Sequence, residues 1–282
     1  MDAEKRPSGP LTEEEELERE ADITEIMLSL DQDRYPETCA FFAEHERDNA
    51  LDGYEFAVRL TDCDRTMPMT DEVFAFVVTL LEDCVKDGNA DAMNDLGALY
   101  YEGRSGEPDF EKAVAYYEMA AKAGSRQAEE NLGYCWYYGR TGKKDYAKAF
   151  HYFLLGALDG HLVSLYKVGD MYRNGLYVEK NPAEAYRIYS RCLETMTDEA
   201  ATRVCGPVYL RLGEMLLNGE GCEPIAENAL FSFQRAELYL YDMVKSGDDM
   251  YRKSWEQAIE GQKLAREKMQ SELPGHTWTA DD

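Results

Sequence analysis

One interval limits what this chain can fold into. Gly97, Gly133 and Gly169 follow one another at 36 residues, and Gly213 follows after 44. Each is trailed at six residues by a second glycine (Gly103, Gly139, Gly175, Gly219) and at sixteen by an alanine (Ala113, Ala149, Ala185, Ala229). At twenty comes an aromatic ring: Tyr117, Phe153, Tyr189, Phe233. Four classes of position held in phase over four copies mark a repeat array, in which each unit buries its apolar face against its neighbours.

Each copy reads as a helix, a turn and a second helix. On the first helix an apolar residue precedes the glycine (Leu96, Leu132, Val168, Leu212), and Tyr100, Trp136, Tyr172 and Leu216 follow it by three, on the same face. Glycine inside a helix costs about 1 kcal/mol relative to alanine. Its use in one register therefore implies a close approach, and the second helix of the same hairpin, through Ala113, Ala149, Ala185 and Ala229, is the expected neighbour. Gly103, Gly139 and Gly175 suit a left-handed helix stop. Asp109, Asp145 and Asn181 are expected to cap the second helices, with Pro182 at the favoured first position. The fourth copy has Ile225 at that cap, and its second helix is expected to run about two turns longer, to Gly247. The extra residues before Gly213 fall around Thr195–Cys205, as an insertion between repeats three and four.

Five segments follow. Residues 1–34 form an acidic N-terminal segment, expected to be partly disordered with a short helix: Thr12 and Glu15 fit a capping box, and Ile23, Ile26, Met27 and Leu30 share a face. Residues 35–88 hold an N-terminal cap and a degenerate repeat, with Thr61 where the glycine should be. The four clear repeats occupy 89–247, a closing helix 248–270, and a flexible tail 271–282.

The combined pattern L-G-x-x-Y-x-x-G and K-A-x-x-Y-Y-x-x-A-A-x-x-G resembles the Sel-1-like repeat, a relative of the tetratricopeptide repeat. The first copy carries it as Leu96, Gly97, Tyr100, Gly103, Lys112, Ala113, Tyr116, Tyr117, Ala120, Ala121 and Gly124. The second keeps Lys148, Ala149, Tyr152 and Phe153, the third has Glu184 for the lysine, and the fourth keeps only the skeleton. The resemblance implies an all-α fold, a right-handed α/α superhelical solenoid of helix-turn-helix repeats. It also implies an adaptor or scaffold for protein binding and does not imply an enzyme; no enzyme activity and no cofactor are expected.

The charge balance agrees. Lys and Arg number 30 against 56 Asp and Glu, a net charge of −26. Such a chain is repelled by nucleic acid and by anionic membranes. Simple solubility and an acidic binding surface both account for the excess. No apolar run approaches the roughly 20 residues needed to span a bilayer. The first twenty residues lack a basic region and an apolar run, so no secretory leader is expected. The seven cysteines are odd in number and contain no C-x-x-C pair, which fits a reducing, cytoplasmic setting. His45, His151, His161 and His276 show no metal-ligand spacing, and no catalytic residue is expected.

The remaining candidate surface is a stripe on the first helices, at −3, +1, +4 and +5 from the glycine. In solenoids of this kind the corresponding stripe lines the concave wall. The candidate partner-binding residues are Asn94, Tyr101 and Glu102, then Glu130, Tyr134, Tyr137 and Tyr138, then Tyr166, Asp170, Arg173 and Asn174. Tyrosine offers a rigid contact with a polar tip. A tyrosine-lined, acidic groove suits a protein or peptide segment bearing Lys or Arg, and replacing Tyr134, Tyr137 and Tyr138 by alanine is expected to abolish capture and spare the fold. Bridging between adjacent repeats accounts for the tyrosines equally well. The alternative function is a small-molecule-binding protein or enzyme with a pocket near the 195–205 insertion.

Overall fold

The computed structural model describes residues 53–62, 70–104, 106–195 and 201–272. The expected helix within 1–34 and the tail beyond 272 lie outside the described residues. Within them the chain forms α1 (Gly53–Asp62), α2 (Asp71–Lys86), α3 (Ala90–Glu102), α4 (Phe110–Lys122), α5 (Arg126–Tyr138) and α6 (Tyr146–Leu158). Then come α7 (Leu162–Asn174), α8 (Pro182–Glu194), α9 (Ala201–Asn218), α10 (Ala226–Lys245), a 3-10 turn at Asp249–Tyr251, and α11 (Arg252–Glu272). No strand is present among the described residues. Two compact units divide within α5, between Leu132 and Gly133.

In the first unit, α1, α2 and α3 share one core of Phe56, Leu60, Val77, Leu80, Leu81, Leu96 and Leu99. Phe56 meets Phe76 edge-on at 5.6 Å. Each such side chain contributes about 1.5–3 kcal/mol on burial. The α3–α4 hairpin closes with Tyr100 stacked on Tyr116, centroids 5.8 Å apart.

The second unit repeats the hairpin plan. Phe153, Tyr189 and Phe233 are buried, and each ring lies where a Cβ on Gly133, Gly169 or Gly213 would sit, at 2.6, 2.7 and 2.8 Å. In the first unit Tyr117 does the same to Gly97 at 2.5 Å. The helical glycines therefore admit the aromatic residue of the second helix, not the alanine that the sequence suggested. Ala113, Ala149, Ala185 and Ala229 are fully buried in their own right.

Caps follow the sequence closely. Asp109, Asp145 and Asn181 each accept from the backbone N–H three residues on, at 3.0 Å. Gly103 and Gly175 end α3 and α7 at φ 67° and 68°. Ile225 makes no side-chain cap to α10, which at 20 residues outruns the 13 of α4, α6 and α8. α9 (Ala201–Asn218) takes in the last residues of the expected 195–205 insertion and carries Pro207 inside. Pro207 has no N–H to give, so the carbonyl one turn earlier loses its helical donor.

Candidate functional site

In the first unit, α3 and the start of α5 carry Asn94, Tyr101, Glu102 and Glu130. Asn94 accepts from Asn131 Nδ2 at 3.0 Å and donates to Asp95 Oδ1 at 3.3 Å. Tyr101 packs its ring edge-on against Phe110 at 5.3 Å. Glu130 is half-buried, while Glu102 is exposed. Glu102 lines a pocket of about 250 Å³ with Val58, Thr61, Asp62, Leu81, Asp95, Ala98, Leu99 and Arg104. Among the described residues its charged lining is Asp62, Asp95, Glu102 and Arg104, with Arg104 Nη1 4.0 Å from Glu102 Oε2. Arg104 is buried and also donates to the Thr61 carbonyl at 3.0 Å. Tyr54 donates to Asp95 Oδ2 at 2.9 Å. Burial still pushes the Asp95 carboxyl above its ordinary value, against the lowering by Tyr54 and Asn94.

In the second unit, α5 and α7 bring Tyr134, Tyr137, Tyr138, Tyr166, Asp170, Arg173 and Asn174 together. The stripe is not uniformly exposed, as the sequence reading required. Tyr166 and Asp170 are each only 5% exposed. Asp170 accepts from Arg211 of α9 at both carboxylate oxygens, through Nε to Oδ1 and Nη2 to Oδ2. Tyr189 Oη donates to Oδ1 at 2.7 Å, and Lys167 Nζ lies 3.7 Å from Oδ2. Lys167 is itself buried, among the rings of Tyr134, Tyr137, Tyr138 and Tyr166 at 5.2–5.8 Å. Arg211 lies 5.1 Å over the Tyr166 ring. Burial alone would raise the Asp170 carboxyl; Arg211, with Lys167 and Tyr189, more than offsets this and holds it below its ordinary value. Burial and the nearby Asp170 push the Tyr137 hydroxyl up to about 12.

The neighbouring positions are also engaged. Arg173 donates to Glu214 at 2.7 Å and to Glu220 at 2.7 and 3.0 Å. Asn174, though exposed, donates to the Asp170 carbonyl at 2.7 Å. Tyr134 and Tyr137 pack on Phe153 at 5.4 and 6.2 Å. Tyr138 is 46% exposed and is the tyrosine of this group that reaches solvent most fully. Removing all three tyrosines would therefore open the core beside Phe153 and strip the rings from Lys167, so that variant would not spare the fold.

Sequence reasoning missed Lys167, Tyr189 and Arg211. A signal was present: two residues before the helical glycine stand Asp95, Asn131, Lys167 and Arg211, polar in all four copies. That position adjoins the buried face, and its side chains meet Tyr54, Asn94, the tyrosine rings and Asp170 respectively.

None of this is arranged as a nucleophile beside an oriented base. Burial pushes the Cys135 and Cys192 thiols up to about 12, the opposite of activation. No group of three or more His, Cys, Asp or Glu side chains could hold a metal among the described residues. Of the 195–205 insertion, residues 196–200 lie outside the described residues.

A model of the Sel1 repeat matches residues 90–125, 126–161, 162–191 and 207–236. The chain is a Sel1 repeat protein. These Sel1 repeats coincide with the hairpins α3–α4, α5–α6, α7–α8 and α9–α10. Among solved structures, a Sel1 repeat protein from Oxalobacter formigenes is 20% identical with a TM-score of 0.53, over 65% of this chain and 71% of that one. The protective antigen c5321 of uropathogenic Escherichia coli strains, which displays an SLR fold, is 17% identical with a TM-score of 0.56, over 90% of this chain. This chain spans 57% of that antigen's length. At these identities the likeness is one of fold, the all-α repeat solenoid. No curated protein sequence matches the chain. Sel1 repeats generally mediate protein–protein interaction, and proteins built from them are typically non-catalytic. No described helix is long and apolar enough to cross a membrane.

Proposed function

We propose that this Sel1 repeat protein is a non-catalytic adaptor of the cytoplasm that holds a protein or peptide segment bearing Lys or Arg against its first helices. The observation that carries this reading is the pocket beside α3. Asp62, Asp95 and Glu102 line it; Arg104, the cation of its lining among the described residues, donates to the Thr61 carbonyl and lies 4.0 Å from Glu102. A cationic side chain entering it would meet carboxylates, and Asp95, whose charge is disfavoured by burial, would gain a counter-ion. In the second unit, the exposed ring of Tyr138 on a hydrogen-bonded base offers a rigid contact of the kind interfaces favour. The net charge of −26 supports a basic segment and argues against nucleic acid. The test is a peptide array carrying Lys/Arg-bearing and Asp/Glu-bearing segments of equal length. Preferential retention on the basic segments is expected, and retention on the acidic ones would refute the reading.

A further inference from the structure

The outer face of α10 is not used by the site described above. Phe231, Leu238 and Tyr241 are 57%, 52% and 45% exposed there, unusual for large apolar side chains on one helix. With Gln234 they line a shallow depression of about 440 Å³, bordered by Arg235 and Glu237. Both bordering charges are held within the unit: Arg235 donates to Tyr239 Oη at 2.8 Å, and Glu237 accepts from Gln262 at 2.5 Å.

The stripe has a register. Glu227, Phe231, Gln234, Leu238, Tyr241 and Lys245 are spaced four, three, four, three, four, the seam of a two-helix coil. It is also self-complementary when reversed. About a point level with Ala236, Phe231 faces Tyr241, Gln234 faces Leu238, and Glu227 faces Lys245. Glu227 and Lys245 are both exposed, at opposite ends of the seam. Antiparallel pairing of two such helices closes a two-fold interface with Phe231–Tyr241 and Gln234–Leu238 layers inside and an opposite-charge pair at each end. Parallel pairing would set Glu227 against Glu227 and Lys245 against Lys245.

We infer that a second copy of this chain is the partner of this face, docked antiparallel along α10. The seam spans about 27 Å at helical rise, a short contact, so the dimer is weak and concentration-dependent. Sedimentation velocity on the full chain across a concentration series tests this. A dimer is expected, weakened at least tenfold by Leu238→Glu with an unchanged circular dichroism spectrum. Glu227→Lys alone should weaken it, and Glu227→Lys with Lys245→Glu should restore it. A monomer at every concentration would overturn the inference, as would dimerisation indifferent to Leu238→Glu. A double charge variant no better than Glu227→Lys alone would overturn the antiparallel register.

Discussion

Gly169 shows what a single position decides in this protein. A Cβ there would stand 2.7 Å from the ring of Tyr189, and that ring cannot swing aside without giving up its 2.7 Å hydrogen bond to Asp170. In an open helix Gly→Ala gains about 1 kcal/mol; overpacking a core costs about 1–3 kcal/mol. Gly169→Ala is thus expected to lower stability, read as a drop in the urea midpoint. Asp170 is the second such residue. Its loss would leave Arg211 and Lys167 buried without their carboxylate, so Asp170→Ala should cost about 3–5 kcal/mol. Because the folded pKa lies below the ordinary 3.8, the Asp170 contribution is complete above that value and lost as pH falls through the depressed one. Urea unfolding followed from pH 7 downward should show a constant gap between wild type and Asp170→Asn above the ordinary 3.8 and a narrowing gap below it. The helical glycines were legible as places of close approach, whereas the identity of the approaching group was not. Sequence spacing places Ala113 and Tyr117 on one helical face alike, and only side-chain reach brings the ring to the gap.

At the level of the helix, the sequence was most explicit where a local hydrogen bond decides the outcome. Asp109, Asp145 and Asn181 were readable as caps because capping needs only a short acceptor and a backbone N–H three residues on. Asn181→Ala should cost about 0.5–2 kcal/mol, and Ile225→Asp, which gives α10 the side-chain acceptor it lacks, should gain about 1 kcal/mol. Thermal melts of the two variants against wild type decide both signs. The start of α9 was less legible, since Pro207 argues for a boundary that tertiary packing of Val204, Cys205 and Val208 overrides. The candidate stripe was the least legible of all. Helical phase put Asp170 and Tyr138 off the buried face alike, yet Asp170 is drawn inward by Arg211, forty-one residues along, and Tyr138 is left outside. A partner so distant in sequence leaves no mark on the local pattern.

For the whole molecule, the repeat register was enough to place the chain among Sel1 proteins, because the motif is itself a record of hairpin packing. Function is less constrained, since the same hairpins serve many partners. What this chain adds is its charge: −26 overall, and a carboxylate-rich pocket beside α3 whose guanidinium is already bound. The most direct measurement is the fluorescence anisotropy of a labelled Lys/Arg-bearing peptide titrated with wild-type protein and with the Asp62→Asn/Glu102→Gln variant, at low and at high salt. Losing a charge-assisted contact is worth about 1.5–3 kcal/mol, so the variant should bind about tenfold more weakly or worse, with a flatter dependence on salt. Equal affinity and an equal salt slope for the two proteins would contradict the assignment of this pocket to a basic partner segment.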